Sequence, residues 1–396
     1  MTNYPPYRLL LSRAFIGLLL TSSLWGCGKE HPIEPAPDLP NRTILYFLGA
    51  DNNLQVEADE KTEALRLGFP GGNNRLVIYR DSEDEVPQLL EVYPDMTGEN
   101  KIRTVKTYPE QNSAAGETLQ LLLADITQLF TADSYGLILF SHASGWLPGG
   151  TLTRPESALL QMGVTPINTY TVVMDGTSEL DLKEFAEVIP DRFFAFIAFE
   201  SCFMAGIEVL YELKDKTDYI LSSSAEIVSP GFTPVYPEAL PLLFKPAADL
   251  AGFARAFFDF WNGQSGDYRS ATVTVAKTAG LPSLATWIQQ YATTEVPLED
   301  VSEIQHFDRY RSHRLFFDFG SYYQRKVELV TENQLNNLLN DIVVYKAATP
   351  SFIPGQLGFE ITRHSGITTY IPQDRFPKLN ERYRELAWYE HIQPRP

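Results

Sequence analysis

Cysteine is scarce in this sequence: of 396 residues only Cys27 and Cys202 carry a thiol, so a multi-bridge disulfide framework is excluded. Positive charge is also short. Fifty acidic side chains against thirty-two basic ones give a formal net charge of −18. That balance argues against nucleic acid as a partner, because phosphate affinity depends on Lys and Arg. No glycine-rich phosphate loop and no internal repeat is present. His306, His313, His364 and His391 have no metal-ligand spacing among them, so no metal residues are assigned. "SEDEVPQLLE" lacks the alternating ligands of a calcium loop and reads as a solvated acidic stretch. The sequence thus requires no cofactor, and calcium has no supporting ligand pattern.

Long apolar runs are missing as well. The longest near the start, "AFIGLLLTSSLW", is too short to span a bilayer. Preceded by Arg8 and Arg13 and ended by "LWGC", it reads as a targeting segment over residues 1–26. It resembles a bacterial lipoprotein signal in which Leu24 and Gly26 frame Cys27, the lipid-attachment residue. An ordinary secretory signal with an incidental Cys27 is the other reading. The following "GKE" resembles the basic-acidic tract that directs some bacterial lipoproteins outward. The expected location is therefore the cell envelope, lipid-anchored at the outer membrane and exposed at the surface. Residues 27–41, with the Pro-rich "HPIEPAPDLPN", form an extended tether.

With 44% hydrophobic and 12% aromatic residues, the remainder is long enough for a sizeable core. "TILYFLGA", "RLVIYRD", "YGLILFSH", "FFAFIAFES" and "DYILSSS" are short continuous apolar runs, the pattern of strands buried on both faces. Amphipathic helical stretches lie between them, from Leu54, Ser113 and Ser178, the last two opened by residues suited to cap them. This alternation predicts a three-layer αβα sandwich with a mostly parallel central sheet. Residues 42–262 form the expected core and 263–396 an α/β extension or subdomain of the same fold. One copy of the chain suffices for this arrangement, so a monomer is expected.

In such sheets reacting groups gather beyond the carboxyl ends of the strands. Two runs end in candidate chemistry: "LILFSHASGW" delivers His142 and "FIAFESC" delivers Cys202. One crossover separates them, so their strands can be neighbours. If Cys27 carries lipid, Cys202 has no disulfide partner, and it is either buried and inert or a nucleophile. A nearby imidazole is the base that a thiol needs to become nucleophilic at neutral pH. The small residues Ser141, Ala143, Ser144, Gly145, Ser201, Ala205 and Gly206 would let a substrate backbone approach closely. Asp51, Asn52 and Asn53, after the first strand, suit a helix cap or contact with the site.

These blocks resemble those of the clostripain-like cysteine peptidases. "LILFSHASGW" is similar to their His block, "FESCFMAGIEVLYEL" to their Cys block, and "LYFLGADNNLQ" to their opening strand and Asp-Asn-Asn turn. "VMDGTSELDLKEFAEVI", "LFFDFGSYYQ", "GITTYIPQ" and "RYRELAWYE" extend the likeness from about Asn41 to Glu390. The resemblance implies a caspase-like fold and a thiol peptidase acting on peptide or protein substrates through Cys202 and His142. It also implies oxyanion donors at the amides of Cys202 and Ala143, and cleavage after Arg or Lys.

The departures fall near the site. Ala143 stands where the family has glycine, a substitution that costs on the order of 1 kcal/mol only if φ there is positive. Glu200 replaces the family aspartate that helps hold a basic substrate side chain, and an ordinary ion pair is its alternative role. Glu226 is the one candidate for a second acidic pocket residue. Trp146 either walls the pocket or covers the sheet edge. Arg154, in the Gly- and Pro-rich stretch after His142, is the expected self-processing position, although Pro155 follows it. A catalytically inactive caspase-like lipoprotein that binds a peptide or protein partner is the alternative to a peptidase.

Overall fold

Apolar side chains alternate across both faces of the first strand. In β1 (Arg42–Ala50), Leu45 and Phe47 enter one buried cluster, while Ile44, Tyr46 and Leu48 enter the other. A strand covered on both sides is central by necessity, since neither face tolerates water. The computed structural model describes residues 41–82, 85–149, 151, 171–175, 178–292, 301–310, 312–327 and 329–393. The targeting segment, the tether from Cys27 to residue 40, and Arg154 lie outside the described residues.

The remaining strands follow in chain order as β2 (Asn74–Ser82), β3 (Glu85–Pro94), β4 (Asn100–Thr107), β5 (Tyr135–Phe140), the small hairpin β6 (Thr171–Asp175) and β7 (Ser178–Asp181), β8 (Phe194–Glu200), β9 (Thr217–Ser222), β10 (Thr272–Lys277), β11 (Phe317–Asp318), β12 (Val343–Ala348) and the short β13 (Ser351–Phe352), β14 (Phe359–Glu360) and β15 (Thr368–Thr369). The main sheet has nine strands in the order β12-β10-β9-β8-β5-β1-β2-β3-β4. Its centre, β9-β8-β5-β1-β2, is parallel. Antiparallel strands extend it at both edges, β10 and β12 on one side and β3 and β4 on the other. The five apolar runs in the sequence are the five parallel strands. The acidic stretch read as solvated is partly β3, whose Leu89, Leu90 and Val92 are buried while its first residues are exposed.

Helices α1 (Ala58–Gly68), α5 (Tyr236–Leu243) and α6 (Leu250–Asn262) pack on the face of Ile44 and Tyr46. The opposite face carries α2 (Gly116–Leu129), α3 (Leu182–Val188), α4 (Ile207–Glu212), α7 (Leu281–Tyr291), α8 (Phe319–Gln324), α9 (Leu329–Ile342), α10 (Pro377–Tyr383) and α11 (Ala387–Ile392). The caspase-like three-layer arrangement follows from these two apolar faces. Residues after 263 contribute β10 and β12 to the same sheet.

Two expected caps are replaced. The N-cap of α2 is Ala115, with no side-chain bond. Ser113 instead donates its backbone N–H to Asp175. Ser178 lies in β7, and Asp181 caps α3 by accepting from the amides of Lys183 and Glu184. Asn52 does act as a cap, its side chain accepting from Leu54 N at 2.9 Å.

Candidate active site

Strand register places the thiol and the imidazole. Strands β5 and β8 are parallel neighbours paired Phe140 to Glu200. His142 and Cys202 each follow two residues beyond that pair, at the carboxyl edge where α/β sheets bind ligands. Both line a cavity of about 540 Å³, together with residues of the turns after β1 and β9.

Strand β1 borders β5 on its other side, so the turn after β1 reaches the histidine. Asn53 Oδ1 lies 2.8 Å from His142 Nε2. An amide oxygen only accepts, so Nε2 carries the proton, and in the neutral ring the lone pair lies on Nδ1. Burial lowers the imidazole pKa, and Glu57 opposes that shift. The ring is therefore neutral at physiological pH, as a general base must be.

Cys202 is free and partly exposed. Its thiol pKa is pushed up to about 12, chiefly by burial; Glu226 adds to the rise, while the Ile227 N–H and Arg309 counter it. That amide donates to Sγ at 3.4 Å. The resting pair is thus a neutral thiol and a neutral imidazole.

The turn that carries the thiol is strained. Phe203, directly after Cys202, has φ 61°, a region that bulky side chains avoid. Its ring is stacked on Phe316, with centroids 4.4 Å apart, and its N–H donates to Ala225 O at 3.1 Å. No pattern in the sequence points to this conformation. Ala143 is not among the positive-φ residues; in the His142 turn that role falls to Gly145, φ 65°. The alanine therefore carries no backbone penalty.

Three expected pocket residues are otherwise engaged. Glu200 lines the cavity, yet its side chain and that of Lys61 are 0% exposed. Oε1 accepts from Lys61 Nζ and from Phe232 N, each at 2.6 Å. Oε2 accepts from Tyr46 at 2.8 Å and Tyr236 at 2.6 Å. Four donors fill the carboxylate, so the expected grip on a basic substrate side chain is replaced by a buried ion pair. Glu226 is paired as well, by a two-pronged bond from Arg309 in which Nη2 donates to Oε1 at 2.8 Å. Trp146 is 0% exposed and packs against Tyr370 and Tyr383, with centroids at 5.0 and 5.3 Å. It belongs to the core and is absent from the cavity wall. Among the described residues no cluster of three or more His, Cys, Asp or Glu side chains could hold a metal ion.

A thiol and an imidazole on adjacent parallel strands of a three-layer α/β sandwich define a cysteine peptidase of caspase-like architecture. The chain belongs to the clostripain family, whose model matches residues 46–388. It is similar to an inactive zymogen C11 protease from Parabacteroides distasonis, with a TM-score of 0.78 and 28% identity, covering 91% of this chain and 100% of that one. It also resembles in fold a secreted C11 cysteine protease from Bacteroides thetaiotaomicron, "iotapain", with a TM-score of 0.75 and 24% identity over 91% and 100% of the two chains. Another structure of a secreted C11 cysteine protease from that organism, in complex with an irreversible peptide inhibitor, has a TM-score of 0.73 and 22% identity over 89% and 99%. No curated protein matches the chain.

Proposed function

We propose that this cysteine peptidase is an endopeptidase acting on peptide or protein substrates, with Cys202 as nucleophile and His142 as acid and base. The observation that carries this reading is the shared offset of the two residues past the Phe140–Glu200 register pair, with both side chains on one cavity. His142 takes the thiol proton as Sγ attacks the substrate carbonyl carbon. The amides of Cys202 and Ala143 stabilise the oxyanion. The C–N bond breaks as His142 returns the proton to the leaving amine, which leaves a thioester on Cys202. Water then attacks that thioester, its proton passing to His142 and on to the departing thiolate. Cleavage after Arg or Lys needs a free carboxylate near Cys202. Each carboxylate lining the cavity, Glu57, Glu200 and Glu226, is held by groups of the chain itself.

The test is turnover of a peptide panel and covalent labelling by a thiol-directed peptide inhibitor, comparing wild type with Cys202→Ala. Wild type is expected to cut and to label at Cys202, and the variant to do neither. Peptide binding with no turnover and no labelling in wild type would instead establish the inactive binder.

The anchoring reading rests on the sequence: Cys27 carries a lipid and holds the peptidase in the cell envelope, at the outer membrane. Metabolic labelling with a radioactive fatty acid is expected to mark wild type and not Cys27→Ser. Processing after Arg154 is read by intact mass of wild type and Cys202→Ala: one uncut species in both, the outcome that the paired carboxylates favour, rejects it.

A further inference from the structure

A cation of the chain's own lies buried behind the end of this cleft. Lys61, on α1, is fully buried, which is rare for lysine. Its ammonium donates to Glu200 Oε1 at 2.6 Å, to Pro230 O at 2.9 Å and to Thr233 Oγ1 at 3.0 Å. It also lies 3.3 Å from Glu57 and 4.0 Å from the centroid of Phe140, over the ring. Two carboxylates, a carbonyl, a hydroxyl and an aromatic face make a complete cage for a primary ammonium ion. The cage adjoins the reacting groups: Phe140 lies two residues before His142, Glu200 two before Cys202, and Glu57, Phe140 and Glu200 all line the cavity. Gly231 makes the fit possible. With φ 65°, it packs where a Cβ would stand 2.4 Å from Glu200 Oε1.

We propose that Lys61 is a built-in occupant of the cation site and thereby a specificity-determining residue, so that the peptidase selects an uncharged apolar side chain before the scissile bond. This rests on the endopeptidase reading above. A substrate Arg or Lys entering the cleft meets no unpaired carboxylate there. It meets instead Arg309, bonded to Glu226, while Glu200 is held from behind the cleft wall by the buried Lys61. What the cleft does offer is apolar: Leu54, Val56, Ile227, Val228, Phe352 and Ile353. Such walls favour leucine- or methionine-like side chains through burial. The Arg309–Glu226 pair is partly exposed and a substrate could part it. The Lys61–Glu200 pair is sealed in the core, so it sets the preference.

The experiment uses the full-length protein and quenched peptides that differ only at the cleavage residue: Leu, Met, Gln, Lys and Arg. Wild type is expected to show kcat/KM at least about tenfold higher for Leu or Met than for Lys or Arg, on the scale of one unfavourable charge contact. In Lys61→Ala the Arg-to-Leu ratio is expected to rise at least about tenfold as the cage opens. The pair Lys61→Met with Glu200→Gln removes both charges and is expected to keep the wild-type order. A wild-type preference for Arg or Lys overturns the proposal, as does an unchanged ratio in folded Lys61→Ala. If Lys61→Ala does not fold, the order in wild type and in the double variant decides. Failure of the endopeptidase reading looks different: no peptide is cut and no inhibitor labels Cys202.

Discussion

Replacing Lys61 by Met isolates the energetics of the buried pair. Methionine preserves most of the side-chain length and loses the ammonium. Its bonds to Glu200, Pro230 O and Thr233 Oγ1, its contact with Glu57 and its position over Phe140 all disappear. The Glu200 carboxylate stays buried, with Tyr46, Tyr236 and Phe232 N as its remaining donors. Breaking a buried ion pair from one side costs about 3–5 kcal/mol, because a charge is left without its counter-ion. Three surviving donors put the expected loss near the lower end, about 3 kcal/mol. Adding Glu200→Gln removes the stranded charge and keeps an acceptor for Phe232 N. The double variant is therefore expected to recover at least about 2 kcal/mol relative to Lys61→Met, a coupling well above the ~0.5 kcal/mol of independent sites. Urea denaturation of the four proteins measures this, with an unchanged m-value expected throughout. Additive losses would refute the reasoning, because they would mean that the two charges do not depend on one another.

Other consequences follow from the same site and from the core behind it. At position 203 glycine is expected to be more stable than alanine by about 1 kcal/mol in thermal or urea melts, the reverse of the usual order, because φ there is positive. An alanine that outperforms glycine would contradict the backbone assignment. Asn53→Ala frees the His142 ring, and kcat is expected to fall roughly tenfold with little change in melting temperature; unchanged turnover would show that Asn53 does not position the base. Glu208, fully buried, has its pKa raised by burial from 4.5 to about 7. The folded chain thus keeps a proton that the unfolded chain releases between those values, and stability falls as pH rises through that window. Glu208→Gln is expected to gain on wild type progressively from pH 4.5 to 7, by up to about 3 kcal/mol, and to hold the gain above. A difference that does not vary with pH would reject the buried-proton account.

Much of the architecture was legible before any coordinates. Continuous apolar runs can satisfy only a sheet covered on both faces, and this alone identified the five parallel strands. Their intervening helices fixed the crossovers, and the two polar strand ends singled out His142 and Cys202. Strands β3 and β4 were not legible: the edge strand β4 buries no residue fully and is rich in charge, and β3 opens on exposed residues of the acidic stretch, so both read as solvated loops. Capping failed as a local rule at Ser113 and Ser178 because tertiary partners, Asp175 and the β6–β7 hairpin, claimed those segments.

What the sequence determined by itself was the chemistry available: one thiol besides the lipid-attachment residue Cys27, one imidazole at a matching strand end, and a family pattern around both. What only the tertiary structure decided was the state of the charges. Lys61 stands 139 positions from Glu200 and Arg309 stands 83 from Glu226, separations at which no local pattern signals a partner. The sheet brings α1 and the turn after β9 together over the end of β8, and that meeting turns an expected substrate-binding carboxylate into one side of a sealed ion pair. Trp146 was decided in the same way, by aromatic neighbours from a distant segment that fill the core behind the site.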